Sequence, residues 1–164
     1  MTGIEFYLDA LLSGEVCGVG AGSSADRIQE VLGSGFIDDR RKRWMRRDFG
    51  LVEFHFNRVG PTWTCFGSTI QVHRLKEAGG SITPRSLIKL YGELSSTLDH
   101  ATLTDAFQAR GGLLVREGVA GEFVRYRVAG ASSFVYSLRS APENSIASHP
   151  IETVWSIDLR ARQA

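Results

Sequence analysis

The sequence predicts an α+β fold, with short helices packed on antiparallel sheet. Three observations carry this expectation. Strand-like segments arrive in runs and do not alternate with helices, which disfavours a doubly wound parallel sheet. The order helix, helix, several strands occurs twice, with Lys76 to Ser81 and its Gly79-Gly80 pair between the two halves. Hydrophobic residues make up 43% of the chain and charged residues 23%, a composition that supports a packed core and not a disordered chain. The expected organisation is an N-terminal half at 1–76 and a C-terminal half at 82–164. These form either one continuous sheet or two packed modules.

The elements follow in order. Ile4, Leu8, Leu11 and Leu12 recur at helical spacing, so 4–13 reads as an amphipathic helix stopped by Gly14. A second helix is expected at 24–32. Ser23 and Asp26 would cap it, Ala25, Ile28 and Leu32 form its apolar stripe, and Gly33 ends it. Val52, Phe54 and Phe56 alternate with Leu51, Glu53 and His55, the clearest strand in the chain. Trp44 and Met45 make the preceding basic segment strand-like and a pairing partner for 50–57. After Gly60-Pro61, residues 62–75 read as one or two strands, with Gly67 marking a bulge or break. Thr83-Pro84 opens a helix carrying Leu87, Ile88 and Tyr91. Thr102 is read as the cap of a helix at 103–110, and strands are expected at 113–117, 122–129, 133–139 and 151–158. The segment 140–150, with Pro142, Asn144 and Pro150, reads as a mobile loop.

Charge is unevenly distributed. Residues 1–26 carry Glu5, Asp9, Glu15 and Asp26 and no Lys or Arg. Residues 40–47 hold six of the chain's 19 basic side chains, Arg40, Arg41, Lys42, Arg43, Arg46 and Arg47, around Trp44. Such a cluster fits nucleic-acid phosphate, with Trp44 stacking on a base, or an acidic face on a protein, where Arg and Trp are common anchors, or it is a solvated strand face whose charges Asp38, Asp39 and Asp48 partly offset. Flanking Asp38, Asp39 and Asp48 favour the protein over the nucleic acid. An acidic N-terminal segment offers a second contact surface, suited to a basic target groove.

Catalytic signatures are missing. The run Gly18-Val19-Gly20-Ala21-Gly22 precedes a helix but lacks the Lys-Ser/Thr of a phosphate loop and the G-x-G-x-x-G spacing. Cys17 and Cys65 match no disulfide framework or zinc spacing. Asp99-His100 beside Ser95-Ser96 is adjacency in sequence, and adjacency does not build a triad. Glu53 with His55, and Gln71 with His73, each share one face of an expected strand. If those strands are neighbours in suitable register, the four form a polar recognition surface, or less simply a metal or acid–base site. No cofactor, metal or catalytic residue is therefore expected, and the chain reads as a non-enzyme. No apolar run is long enough to span a membrane and no signal-peptide pattern opens the chain, so the expected location is the cytoplasm.

The helix ending Val31-Leu32-Gly33, the segment Asp48-Phe49-Gly50-Leu51-Val52-Glu53-Phe54-His55-Phe56 and the following Ile70-Gln71-Val72-His73-Arg74-Leu75 together resemble small actinobacterial immunity proteins of polymorphic toxin systems. The resemblance covers about residues 20–76. It implies a cytoplasmic, non-enzymatic protein that neutralises a cognate toxin by direct binding. The binding residues expected on this reading are Arg43, Trp44, Arg46 and Arg47, with Glu53, His55 and His73 on the adjoining strands. Replacing Arg43, Arg46 and Arg47 with Glu is expected to abolish binding and leave the fold intact. Two other functions stay open, a nucleic-acid-binding accessory protein using residues 40–47 and a small metal-dependent or hydrolytic enzyme.

Overall fold

A computed structural model describes residues 3–140 and 151–161. It has α1 (Ile4–Ser13), a two-strand hairpin β1 (Glu15–Val16) and β2 (Val19–Gly20), α2 (Ala25–Leu32) and a meander of β3 (Ile37–Arg40), β4 (Trp44–Asp48), β5 (Val52–Val59) and β6 (Thr62–Ile70). A connecting segment holds α3 (Arg74–Ala78) and a 3-10 turn at Gly79–Ile82. Then come α4 (Arg85–Tyr91), α5 (His100–Ala109) and a second meander, β7 (Leu114–Ala120), β8 (Phe123–Val128), β9 (Phe134–Ser140) and β10 (Ile151–Arg160).

The two meanders form one antiparallel sheet, ordered β3-β4-β5-β6-β10-β9-β8-β7. The last strand of each meander meets the other at a seam of four residue pairs, Ile70–Ile157 to Gly67–Arg160. The α+β class is as the sequence predicts, and the sheet is continuous. Its core face carries Met45, Phe54, Phe56, Val124, Val135, Val154 and Ile157, all buried. Phe6, Leu8 and Leu11 of α1, Ile28 of α2, Leu87 of α4 and Leu103 and Phe107 of α5 join the same core. Alternation sends the intervening strand residues to the opposite face, which these four helices leave uncovered.

Local chemistry explains the boundaries. Gly14 takes φ 76° and donates to Ala10 O, stopping α1. Ser24, one residue later than expected, caps α2 by accepting from Arg27 N, and Ser23 Oγ accepts from Gly20 N instead. The expected strand 62–75 ends at Ile70. Beyond it, Arg74 N donates to Gln71 O and Leu75 N to Val72 O, so the chain turns into α3. The expected Lys76–Ser81 linker is thus largely helical. Asp99, not Thr102, caps α5, which starts three residues earlier than expected and has Thr102 donating to the Asp99 carboxylate. The segment read as a mobile loop falls, apart from Ser140, outside the described residues.

Among the described residues, three β-bulges interrupt the ladders. Phe66 is the extra residue on β6, Glu117 on β7 and Trp155 on β10. Each extra residue sets its side chain against groups on the uncovered face.

Candidate functional site: the open face of the sheet

Cross-strand pairing fixes which residues share the open face. Asp39, Arg46, His55, Gly67 and Arg160 lie in one row across five strands. The next row runs Asp48, Glu53, Thr69, Asp158, Phe134 and Arg127. The register unknown from sequence therefore brings β5, β6 and β10 chemistry together.

A polar network occupies the centre. Glu53 is only 5% exposed and accepts from Arg74 Nη2 at 2.6 Å and Gln71 Nε2 at 3.0 Å. Arg74 also holds Asp48 at 3.1 Å and donates to Gly50 O at 2.7 Å. Burial alone would raise the Glu53 pKa, but the Gln71 and Arg74 hydrogen bonds and the charges of Arg74 and Arg46 hold it below the usual value. Beside it, Thr69 donates to Asp158 at 2.9 Å, so its oxygen accepts from His55 Nε2 at 3.3 Å. Burial holds the His55 imidazole below its ordinary pKa, with Arg46 and Arg160 pushing the same way and Glu53 and Asp158 opposing.

Aromatic rings border this network. Trp44 stacks on His55 at 6.5 Å, and Phe66 tilts against the same imidazole at 6.0 Å. Across the seam, Trp155 stacks on His73 at 4.2 Å and meets the Phe123 edge. Phe134 and Tyr136 follow on β9, with Arg125 over the Phe134 ring at 5.2 Å. Arg125 and Arg127 both hold the bulged Glu117, at 3.1 and 2.8 Å.

The residues singled out in the sequence separate into groups. Trp44, Arg46, Glu53 and His55 meet on the open face. His73 lies at the start of α3 and packs on Trp155, so it does not join His55. Arg43 is in the β3–β4 turn, and neither it nor Lys42 makes an ion pair with any described residue. Arg47 points into the helix face, its side chain 7% exposed. It forms a two-point pair with Asp38 at 2.8 and 2.9 Å, donates to Ala25 O at 3.1 Å and lies over the Phe36 ring at 3.8 Å. Arg40 and Arg41 pair with Asp38 and Asp39. Much of the basic cluster is therefore neutralised within its own hairpin. The acidic N-terminal surface is compensated too, since Arg110, just after α5, pairs with both Glu5 and Asp9.

Sequence reasoning missed Arg74, Asp158, Arg160, Phe134, Tyr136 and Trp155. Arg74 enters the network because the chain turns after Ile70, and the others because β6 pairs with β10, some 90 residues apart, which no local pattern announces.

The other candidates resolve into structure. The glycine run forms the β1–β2 hairpin, with Cys17 and Gly18 at φ 52° and 76°. His100 is buried against Tyr126 at 4.0 Å and bonds Ser137 Oγ at 2.8 Å. Ser137 is fully buried, so no substrate reaches its hydroxyl. No group of three or more His, Cys, Asp or Glu among the described residues is arranged to hold a metal ion. No helix among them is long and apolar enough to cross a membrane.

Comparison with protein-family models, curated proteins and solved structures finds no match to this chain.

Proposed function

We propose that this chain is a non-enzymatic binding module that docks another protein on the open face of its sheet. The observation that carries the reading is that face itself. It sets partly exposed Trp44, Phe66, Phe134, Tyr136 and Trp155 among Arg46, Arg125, Arg127 and Arg160. Trp, Tyr and Arg are the side chains that most often anchor protein interfaces, because they bury large area with few lost rotamers and keep a polar end to pair. A broad, pleated surface of this kind suits a macromolecule better than a small substrate, which needs a concave pocket.

The resemblance of residues 20–76 to immunity proteins supplies the specific version of the proposal. The partner is a bacterial toxin, and the chain neutralises it in the cytoplasm by covering its working surface. The test is to co-express the chain with the toxin-like product of a neighbouring gene and to measure survival and co-purification. Protection by the wild type, lost in Tyr136→Glu and in Arg46→Glu with the fold retained, supports the reading. Protection that survives both changes removes the open face from it.

Lys42 and Arg43, which make no ion pair with any described residue, favour a second reading in which the β3–β4 turn grips nucleic-acid phosphate. Such binding weakens log-linearly with salt. A chain that binds no DNA or RNA at low ionic strength eliminates it.

A further inference from the structure

Two guanidinium groups on the open face are poorly matched to the carboxylates beside them. Arg46 reaches Glu53 only at 3.7 Å, and the Glu53 oxygens already accept from Arg74 and Gln71. Arg46 Nε is enclosed and makes no hydrogen bond with any described residue, although its side chain as a whole is 41% exposed. Arg160 reaches Asp158 only at 3.9 Å, and Asp158 already accepts from Thr69. Both arginines belong to the same row, on either side of His55, and Trp44 and Phe66 wall that imidazole. An enclosed N–H without an acceptor is costly, and a guanidinium edge pairs best with a planar anion at two points.

We infer that the row Arg46–His55–Arg160 is the specificity subsite of the docking face, and that it receives an Asp or Glu side chain of the partner protein. The inference rests on the docking reading and names the chemistry that the partner must present. Arg46 and Arg160 supply the charge, while Trp44 and Phe66 exclude water from the pair. His55 completes the subsite. Its Nε2–H is committed to Thr69, and its Nδ1 makes no hydrogen bond with any described residue, so that nitrogen takes up a proton when a carboxylate arrives. The charged and titratable groups facing it are Arg46 on β4, Glu53 on β5, and Asp158 and Arg160 on β10. The partner's carboxylate adds one more negative charge to this balance and favours the imidazolium. Docking is therefore tighter at lower pH, over the range in which the partner's carboxylate stays ionised.

The test uses the intact chain and two probes, a blocked peptide alternating Glu with Phe and an oligothymidylate. Side-chain NMR follows the chain's four histidine imidazoles, with His55 as the reporting signal. The peptide is expected to raise the His55 pKa by about one unit, and so to bind several-fold tighter at pH 5.5 than at pH 8, with about tenfold as the upper limit. Arg46→Gln and Arg160→Gln should each weaken peptide binding several-fold, and His55→Gln should remove its pH dependence. Peptide affinity that is independent of pH, or a His55 signal moved by oligothymidylate and not by peptide, overturns the inference. A toxin partner held on the face with affinity indifferent to Arg46, Arg160 and pH also overturns it, and leaves the docking reading standing.

Discussion

Arg46 and Arg47 are adjacent in sequence and opposite in fate, and this yields the sharpest test of the structure. Consider Arg47→Met, which keeps the aliphatic length and removes the guanidinium. Lost are two hydrogen bonds to Asp38, one to Ala25 O and the contact with the Phe36 ring. Hydrogen bonds to charged groups contribute about 1.5–3 kcal/mol each, but those sharing one guanidinium do not add. Stranding one partner of a buried ion pair costs about 3–5 kcal/mol. Asp38 keeps 23% exposure and recovers water, which places the loss near the lower bound, about 3 kcal/mol. For a chain of this size that is a fall in Tm of about 6–12 °C. Arg46→Met breaks only a long pair from a partly exposed guanidinium and leaves Glu53 held by Arg74 and Gln71, so it should shift stability by less than about 1 kcal/mol. Urea denaturation with a constant m-value, supported by calorimetry, separates the two. The double variant Asp38→Leu with Arg47→Met should recover much of the loss, because an apolar pair replaces an ion pair without leaving a stranded charge. Equal stability of Arg46→Met and Arg47→Met, or a double variant weaker than Arg47→Met alone, refutes the assignment of Arg47 to the core face. The same geometry means that replacing Arg43, Arg46 and Arg47 together with Glu disturbs the fold as well as the surface.

Other expectations follow from single observations. Gly50 has φ 89°, and a Cβ there would lie 2.5 Å from Ile82 O, so Gly50→Ala should cost about 2 kcal/mol or more by chemical denaturation. Phe107 is 1% exposed and its ring fills the space beside Gly112, so Phe107→Ala should cost about 3–5 kcal/mol, read as a lower urea midpoint. Burial holds both His55 and His100 below their unfolded value of 6.5. The unfolded chain then binds more protons than the native one below about pH 6.5, so stability is full above that pH and falls as pH drops through it, by up to about 1.4 kcal/mol per pH unit for each histidine. His100→Gln should reduce this slope in pH-dependent denaturation, and an unchanged slope would show that His100 contributes none of it. Glu53, held low, loses its contribution only at more acidic pH, as protons enter below its unfolded value of 4.5.

How much was legible in the sequence depends on how many neighbours an element has. The stripe Ala25, Ile28 and Leu32 is the buried face of α2, because that helix packs from one side. In α1 the visible stripe understates burial. Phe6, Tyr7 and Ala10 are buried as well, since α4 and α5 close the sides that a surface helix would leave wet. Strand β3 has no apolar alternation in Ile37-Asp38-Asp39-Arg40, and it is a strand because β4 pairs with it and Arg47 and Arg41 hold its carboxylates. The face of Arg47 was readable in principle. It stands two residues from Met45, and period-two alternation assigns both to the core side. Dense positive charge concealed that signal. Glu53 and Gln71 meet in the register that the sequence leaves open, whereas His73 stacks on Trp155 and does not reach His55, because the strand stops at Ile70 and the chain turns.

The three bulges among the described residues support the proposal that the open face is a recognition surface and not the leftover side of a sheet. A regular ladder would fix each side chain by parity alone, and one extra residue releases it. Each extra residue is then used on that face. Phe66 lies against His55, Trp155 stacks on His73, and Glu117 draws Arg125 and Arg127 together. Phe66 and Trp155 sit on the last strands of their meanders, so the two aromatic bulges flank the seam from opposite halves. Phe66 is 43% exposed in a chain whose other large aromatic side chains are more covered, and exposed aromatic area on a bulge adds little to the core. Phe66→Ser should therefore leave the denaturation midpoint within about 0.5 kcal/mol while weakening partner binding by tenfold or more. A matching loss of stability and binding would make the bulge a packing device, and it would take from the open face its strongest claim to be the interface.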